Sequence, residues 1–340
     1  IGGRFSLVSS PPLLFSFGAS DPTDLSDTWA YYPSTKTWSD LAPSSAPFER
    51  CFSAMAYDAA NGLSVLFGGR HDIGNKRFEY FGDTWTFQLS TSTWTNKTPA
   101  VSPPARYGHT LSYDPVNGVL ALFGGRNETT YFQDTWTYNL STNTWTNKGP
   151  PTFPSGRGGH SAAYDASFGT VVIFGGQNGL SLTNDTWSYN VSANTWTRKQ
   201  LSGGPSPRYG QAMSSDPITR GAILFGGLDQ NLEYQDDFWS YSVEQNAWAM
   251  KGQLASPPPR VHHSMAYAGN ELVSVLFGGL DGRFYYNDTW LYDASKDRWA
   301  RKRPAGAPPY LHDAAMAYDS ANGVIVLFGG LHGDIEQNDT

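Results

Sequence analysis

Apolar residues in this chain come in short bursts set between turn residues, and no long segment carries a helical 3.6-residue period. One stretch shows the pattern. An arginine opens the run Arg106-Tyr107-Gly108-His109, which continues as a strand (a) to Tyr113. The turn Asp114-Pro115-Val116-Asn117-Gly118 follows, and Asn-Gly favours a hairpin because both residues accept a positive φ. A second strand (b), Val119 to Phe123, ends at Gly124-Gly125. A loop leads to strand c, Asp134-Thr135-Trp136-Thr137-Tyr138, and the turn 139–143 leads to strand d around Trp145. Such runs separated by turn signals predict an all-β chain built from four-stranded units.

The unit repeats. All twelve tryptophans fall into six pairs, Trp29/Trp38, Trp85/Trp94, Trp136/Trp145, Trp187/Trp196, Trp239/Trp248 and Trp290/Trp299, each with a spacing of nine. Upstream of each later pair stands an apolar run ending in Gly-Gly, and the first copy ends in Phe17-Gly18-Ala19. The first glycines lie at 18, 68, 124, 175, 226, 278 and 329, in steps of 50, 56, 51, 51, 52 and 51. A four-stranded unit of about 50 residues has the period of a propeller blade, which cannot bury both faces alone and must therefore repeat.

The Gly-Gly after strand b, the aromatic of strand c, the Trp of strand d and the Tyr-Asp pairs before the a–b turn (Tyr57-Asp58, Tyr113-Asp114, Tyr164-Asp165, Tyr318-Asp319) are similar to the Kelch-repeat family. The R-x-x-H, L-F-G-G and D-T-W wording resembles that of large secreted archaeal and bacterial Kelch-repeat proteins. The resemblance implies a single all-β, seven-bladed Kelch propeller over residues 1–340, with antiparallel four-stranded blades. The copies run 1–41, 50–97, 106–147, 157–198, 208–249, 260–301 and 310–340. The last copy stops at Asn338-Asp339-Thr340 without strands c and d, so its blade is expected to be incomplete. Its strand b, Val324 to Phe328, would then be an open edge closed by further chain or by a strand from a neighbouring subunit.

Five arginines, Arg50, Arg106, Arg157, Arg208 and Arg260, each stand 18 residues before the first glycine of a pair, and Leu311 takes that place in the last copy. The strand order puts them on the rim that carries the b–c loops. Two roles fit: a ring of ligand-binding arginines at the channel mouth, as the resemblance implies, or salt bridges between neighbouring blades. The recurring aspartates before the strand-c aromatic, Asp27, Asp83, Asp134, Asp185, Asp237, Asp288 and Asp339, suit the partner's role, since catalytic carboxylates are rarely repeated with the fold. His109, His160 and His263 follow their arginines by three and read as core or channel histidines rather than metal ligands. The longest b–c loop, 70–82, mixes aromatic and charged residues. Either it offers a binding surface or it folds over its own blade.

Composition narrows the function classes. Charged residues make up 16% of the 340, below the roughly 25% of ordinary domains, and the net charge is −7. With no Lys/Arg run, nucleic-acid binding is excluded, and no apolar stretch reaches the ~20 residues of a membrane span. The single cysteine, Cys51, excludes an internal disulfide and a Cys-rich zinc site. The chain starts at Ile1 without a leader pattern, as expected of a processed or partial product. Seven N-x-Ser/Thr sequons, at Asn96, Asn127, Asn139, Asn184, Asn190, Asn287 and Asn338, fit an exported glycoprotein. The reading is a non-enzymatic extracellular module for binding, adhesion or a surface layer or filament. It takes a protein or glycan at the b–c loop face and calls for no metal and no cofactor. The alternative is a copper oxidase resembling galactose oxidase, with Cys51 as the crosslinked cysteine, or another enzyme at the channel mouth. The sequence lacks the Tyr-His dipeptide that the copper reading requires.

Overall fold

The computed structural model describes residues 23–252 and 255–332. Six four-stranded antiparallel sheets, numbered here as blades I to VI, surround one axis. Blade I consists of Ala54–Asp58, Leu63–Phe67, Thr84–Gln88 and Thr93–Asn96 as strands a to d. Blades II to V repeat the plan with inner strands Thr110–Asp114, Ser161–Asp165, Ala212–Asp216 and Ser264–Ala268. The innermost strands contact one another all the way round, and the last returns to the first. Strand b of every blade is almost wholly buried, which explains its mostly apolar run.

Blade VI corrects the sequence reading. Its strands a and b, Ala315–Asp319 and Val324–Phe328, come from the end of the chain, and its strands c and d, Thr28–Tyr32 and Thr37–Asp40, from the beginning. Thr28 pairs with Phe328 and Tyr31 with Ile325. The first and last sequence copies therefore share one blade, and the described residues form six blades rather than seven. Val324–Phe328 is no open edge, because the chain covers it with its own strand, so the expected strand donation by another subunit is not called for here. Strands a and b of the first copy, Arg4 to Phe17, lie outside the described residues.

The glycine pairs have a steric cause. Gly68 and Gly69 take φ of 66° and 106°. A Cβ on Gly68 would sit 2.7 Å from the Arg106 carbonyl of the next blade, and one on Gly69 would sit 3.0 Å from the Cys51 carbonyl. No side chain fits where strand b meets its neighbour.

The two tryptophans of each pair do different work. The strand-d indoles fill the seam to the preceding blade. Trp94, Trp145, Trp196 and Trp248 donate their Nε1–H to Thr28, Thr84, Thr135 and Thr186 of that blade at 2.9–3.0 Å, and Trp38 reaches Thr289 at 2.9 Å. Phe238 replaces the threonine in blade IV, and the Trp299 Nε1 is buried without a partner. The strand-c indoles are less covered: Trp136 and Trp290 are buried, whereas Trp29, Trp85, Trp187 and Trp239 are half-buried.

Candidate functional site at the channel mouth

The five repeated arginines are frame, not mouth. Arg106 is fully buried and uses its whole guanidinium inside blade II. Its Nε donates to the Pro104 carbonyl at 2.9 Å and Nη1 to the Gly124 carbonyl at 2.9 Å. Nη1 and Nη2 also fork onto Asp134 at 2.6 and 2.8 Å. Asp134 in turn accepts from the Trp136 Nε1 at 2.7 Å. Burial pushes the Asp134 carboxyl up, but the Arg106 hydrogen bonds and charge outweigh it and hold it below the usual range. Arg50–Asp83, Arg157–Asp185, Arg208–Asp237 and Arg260–Asp288 repeat the arrangement. The 18-residue spacing is thus the reach from the arginine to its own blade's glycine carbonyl. These pairs lie within blades, not between them, and none of the five arginines lines the mouth. The ligand-ring expectation is corrected for all five, because each guanidinium is buried and forked onto its own blade's aspartate.

His109, His160 and His263 are also core. Their rings stand edge-on to Phe67, Phe123 and Phe225 at 5.4–5.7 Å. Burial first, and the neighbouring arginine second, pushes His109 down to about 3 and drives the other two in the same direction. Gln211 stands in the same place in blade IV and bonds Ser161 and the Phe174 carbonyl.

The mouth is a cavity of about 640 Å³ on the b–c loop side of the axis. Its floor is a closed ring of backbone hydrogen bonds, one residue per blade, each two residues beyond the repeated arginine or Leu311. Phe52 donates to Asp313, Gly108 to Phe52, Gly159 to Gly108, Gly210 to Gly159, His262 to Gly210 and Asp313 to His262, all at 2.8–3.0 Å. All six take a left-handed backbone, with φ between 56° and 66°. Glycine does this freely; Phe52, His262 and Asp313 do it at a cost of about 1–3 kcal/mol each, as residues held in place for a purpose do. All three line the cavity.

Above the floor the six-fold plan breaks. The residue after each Gly-Gly lines the wall: Arg70, Arg126, Gln177, Leu228, Leu280 and Leu331. The Arg70 guanidinium lies over Phe52, Phe78 and Tyr107 at 4.7, 4.3 and 4.8 Å, and its Nε is buried without a hydrogen bond. Arg126 lies over Tyr131 at 4.7 Å and donates to its hydroxyl at 2.7 Å. Among the described residues neither arginine forms an ion pair. The 70–82 loop supplies this wall as a hairpin, Arg70–Asp72 against Phe78–Tyr80, and it also folds back over its own blade. The adjoining wall is acidic. The Asp313 carboxylate accepts from the Nδ1 atoms of His262 and His312, both at 2.7 Å. Asp24 takes the Asp72 amide at 2.6 Å and the His71 Nδ1 at 3.0 Å. The outer rim between the walls is apolar, with Leu180 almost fully exposed.

The sequence reading named the 70–82 loop but missed Arg126, Phe52, His262, His312 and Asp313. The signal was there in the aligned copies: three glycines and three other residues at one position, and two arginines among three leucines and a glutamine at another. Cys51, one candidate for crosslinking, is buried and directs its Sγ to the Arg70 carbonyl at 3.6 Å. Among the described residues no three His, Cys, Asp or Glu side chains are placed to hold a metal.

Comparison with known proteins gives one family and a few relatives. The model of the KLHDC2/KLHL20/DRC7 Kelch-repeats domain matches residues 56–248 and 202–340. The chain is similar to multiple epidermal growth factor-like domains protein 8 of Mus musculus, 28% identical over 75% of this chain and 10% of that protein. To the Homo sapiens form it is 26% identical, over 91% of this chain and 12% of that protein. To the Rab9 effector protein with kelch motifs of Homo sapiens it is 32% identical, over 58% of this chain and 55% of that protein. The chain thus spans about a tenth of the first two relatives.

Proposed function

Because this chain belongs to the Kelch-repeat family, we propose that it is a non-enzymatic binding module whose ligand enters the channel mouth and places an acidic group against Arg70 and Arg126. One observation carries this reading. These two guanidiniums line a cavity, lie against aromatic faces and have no carboxylate partner among the described residues, whereas the repeated arginines are all neutralised. An unneutralised cation against aromatic rings, shielded from water, binds an anion more strongly than one in bulk solvent. A protein segment with acidic side chains fits such a mouth, with its apolar neighbours on the Leu180 rim. The test is fluorescence anisotropy with a labelled Glu-rich peptide. The wild-type chain is expected to bind it, and Arg70→Gln/Arg126→Gln to lose binding while remaining folded. Equal affinity for the two proteins would overturn the reading.

The proposal places the module outside the cell, as a glycoprotein. Asn96 and Asn184 are exposed, and Asn127, Asn139, Asn190 and Asn287 are half-buried. Asn338 lies outside the described residues. In Asn96, Asn127, Asn139 and Asn190 the side-chain oxygen accepts a backbone N–H of the following turn, which leaves the amide nitrogen, the atom that carries a glycan, turned away from the backbone it braces. Intact mass of the chain from its native source, before and after deglycosylation, is expected to differ; an unchanged mass would remove the argument for export.

A further inference from the structure

The acidic wall of the mouth does something that the anion reading leaves unused. The Asp313 side chain keeps only 5% of its surface in water, and both of its oxygens are taken by imidazole Nδ1 atoms, from His262 on blade V and from its own neighbour His312. Burial alone would push the Asp313 carboxyl up; the charge and hydrogen bonds of the two histidines outweigh it and hold it low. Two imidazoles that donate Nδ1–H to one carboxylate turn their Nε2 atoms away from it.

This cluster is joined to the anion wall. The Phe52 ring meets His262 edge-on at 5.3 Å and carries the Arg70 guanidinium on its face at 4.7 Å. Arg70 also feels the Asp313 charge directly. We propose that His262 and His312, held on Asp313, make the anion affinity of the mouth proton-dependent, so that an acidic ligand binds more tightly as the pH falls. This rests on the reading of Arg70 and Arg126 as the anion site.

The sign follows from the charges. With both imidazoles neutral the cluster carries −1 beside Arg70 and opposes an anion. With both protonated it carries +1 and attracts one. The other ionisable groups facing the cluster do not reverse this change. Tyr209 on blade IV and Tyr285 on the blade V loop are phenols in ring contact with His262 and His312. Cys51 on blade I is a thiol that burial pushes well up. Asp24, Asp72 and Asp229 line the cavity from blades VI, I and IV, together with Arg70 and Arg126. His71, on Asp24, and His332, on the strand paired with His312, are the remaining histidines near the mouth. The double variant below separates their contribution.

The test uses naphthalene-1,5-disulfonate, an aromatic anion whose own charge is constant between pH 5 and 8. Its affinity for the whole chain is measured at pH 8.0 and 5.5 by calorimetry, with the fold followed by tryptophan emission. For the wild type the affinity is expected to rise about tenfold on acidification, as one to two added charges across a partly screened cavity would give. His262→Asn/His312→Gln, in which Asn suits the left-handed backbone, is expected to bind with equal affinity at pH 8.0 and 5.5. A wild type that binds equally at both pH values, or a rise that survives in the double variant, overturns the proposal and leaves the anion site standing. Binding that is absent from the wild type, or unchanged in Arg70→Gln/Arg126→Gln, overturns the anion site itself.

Discussion

Arg106 and Arg126 stand in the same blade, and their fates differ completely. Arg106 is one of five copies, is sealed from solvent and binds two backbone carbonyls and Asp134. Arg126 is matched only by Arg70, faces a cavity and leans on tyrosines. In this repeat protein, what recurs in each blade holds the blade together. What differs between blades at one ring position carries the chemistry. Blade VI makes the same point from the other side. Leu311 replaces the arginine, and among the described residues Asp27 has no guanidinium fork and the Trp29 Nε1 is buried without a partner. The blade that closes the ring is therefore held by its strand pairing, its apolar seam and the Trp38–Thr289 and Trp94–Thr28 hydrogen bonds, without the arginine fork.

The comparison breaks if frame substitutions behave like mouth substitutions. Trp145→Ala removes a buried indole that bridges blades I and II, and urea unfolding should show a loss of about 3–5 kcal/mol; a loss below about 1 kcal/mol would contradict the seam. Arg106→Gln leaves Asp134 without its fork. Asp134 keeps 23% of its surface in water, so the expected loss is at the lower end for a broken buried pair, about 3 kcal/mol. Neither change should alter peptide binding by the protein that remains folded.

The buried histidines sharpen the comparison through pH. Their folded values lie below the reference near 6.5. Their contribution to stability is fully present above that reference and is lost as the pH falls from it toward the folded value, about 3 for His109. Stability should therefore fall below about pH 6.5, by about 1.4 kcal/mol per pH unit for each histidine. His109→Gln borrows the residue that blade IV already carries, and should flatten that slope by one histidine's share. An unchanged slope would mean that His109 is protonated in the fold. The smallest effect concerns the Trp Nε1 bonds. Thr84→Val should cost about 1 kcal/mol by stranding the Trp145 donor, whereas Trp299→Phe removes a donor that has no partner and should cost less than Trp145→Phe.

Much of the frame could be read from the chain because its causes are local and repeated. The paired tryptophans, the Gly-Gly before each b–c loop and the Asp-capped hairpins each have a short-range reason, and seven copies in register made them plain. Ring closure was not legible. Pairing Thr28–Tyr32 with Val324–Phe328 joins the two ends of the chain, and no local pattern marks it. The arginines misled for a related reason: their sequence spacing gave the rim but not the direction of the guanidinium, which is decided by Asp134 and its counterparts across the blade. The mouth was hidden by looking for recurrence. Its residues sit where the copies disagree, at Phe52, His262 and Asp313 among glycines, and at Arg70 and Arg126 among uncharged residues.

The division between frame and mouth is tested most directly by the thermal shift that a saturating Glu-rich peptide produces in Arg126→Lys, set against the same shift in Arg106→Lys. The account predicts that Arg126→Lys melts like the wild type but loses most of the peptide-induced rise, because lysine cannot keep the tyrosine-backed planar fork. It predicts that Arg106→Lys melts lower yet keeps the rise. A full rise in Arg126→Lys, or its loss in Arg106→Lys alone, would contradict it.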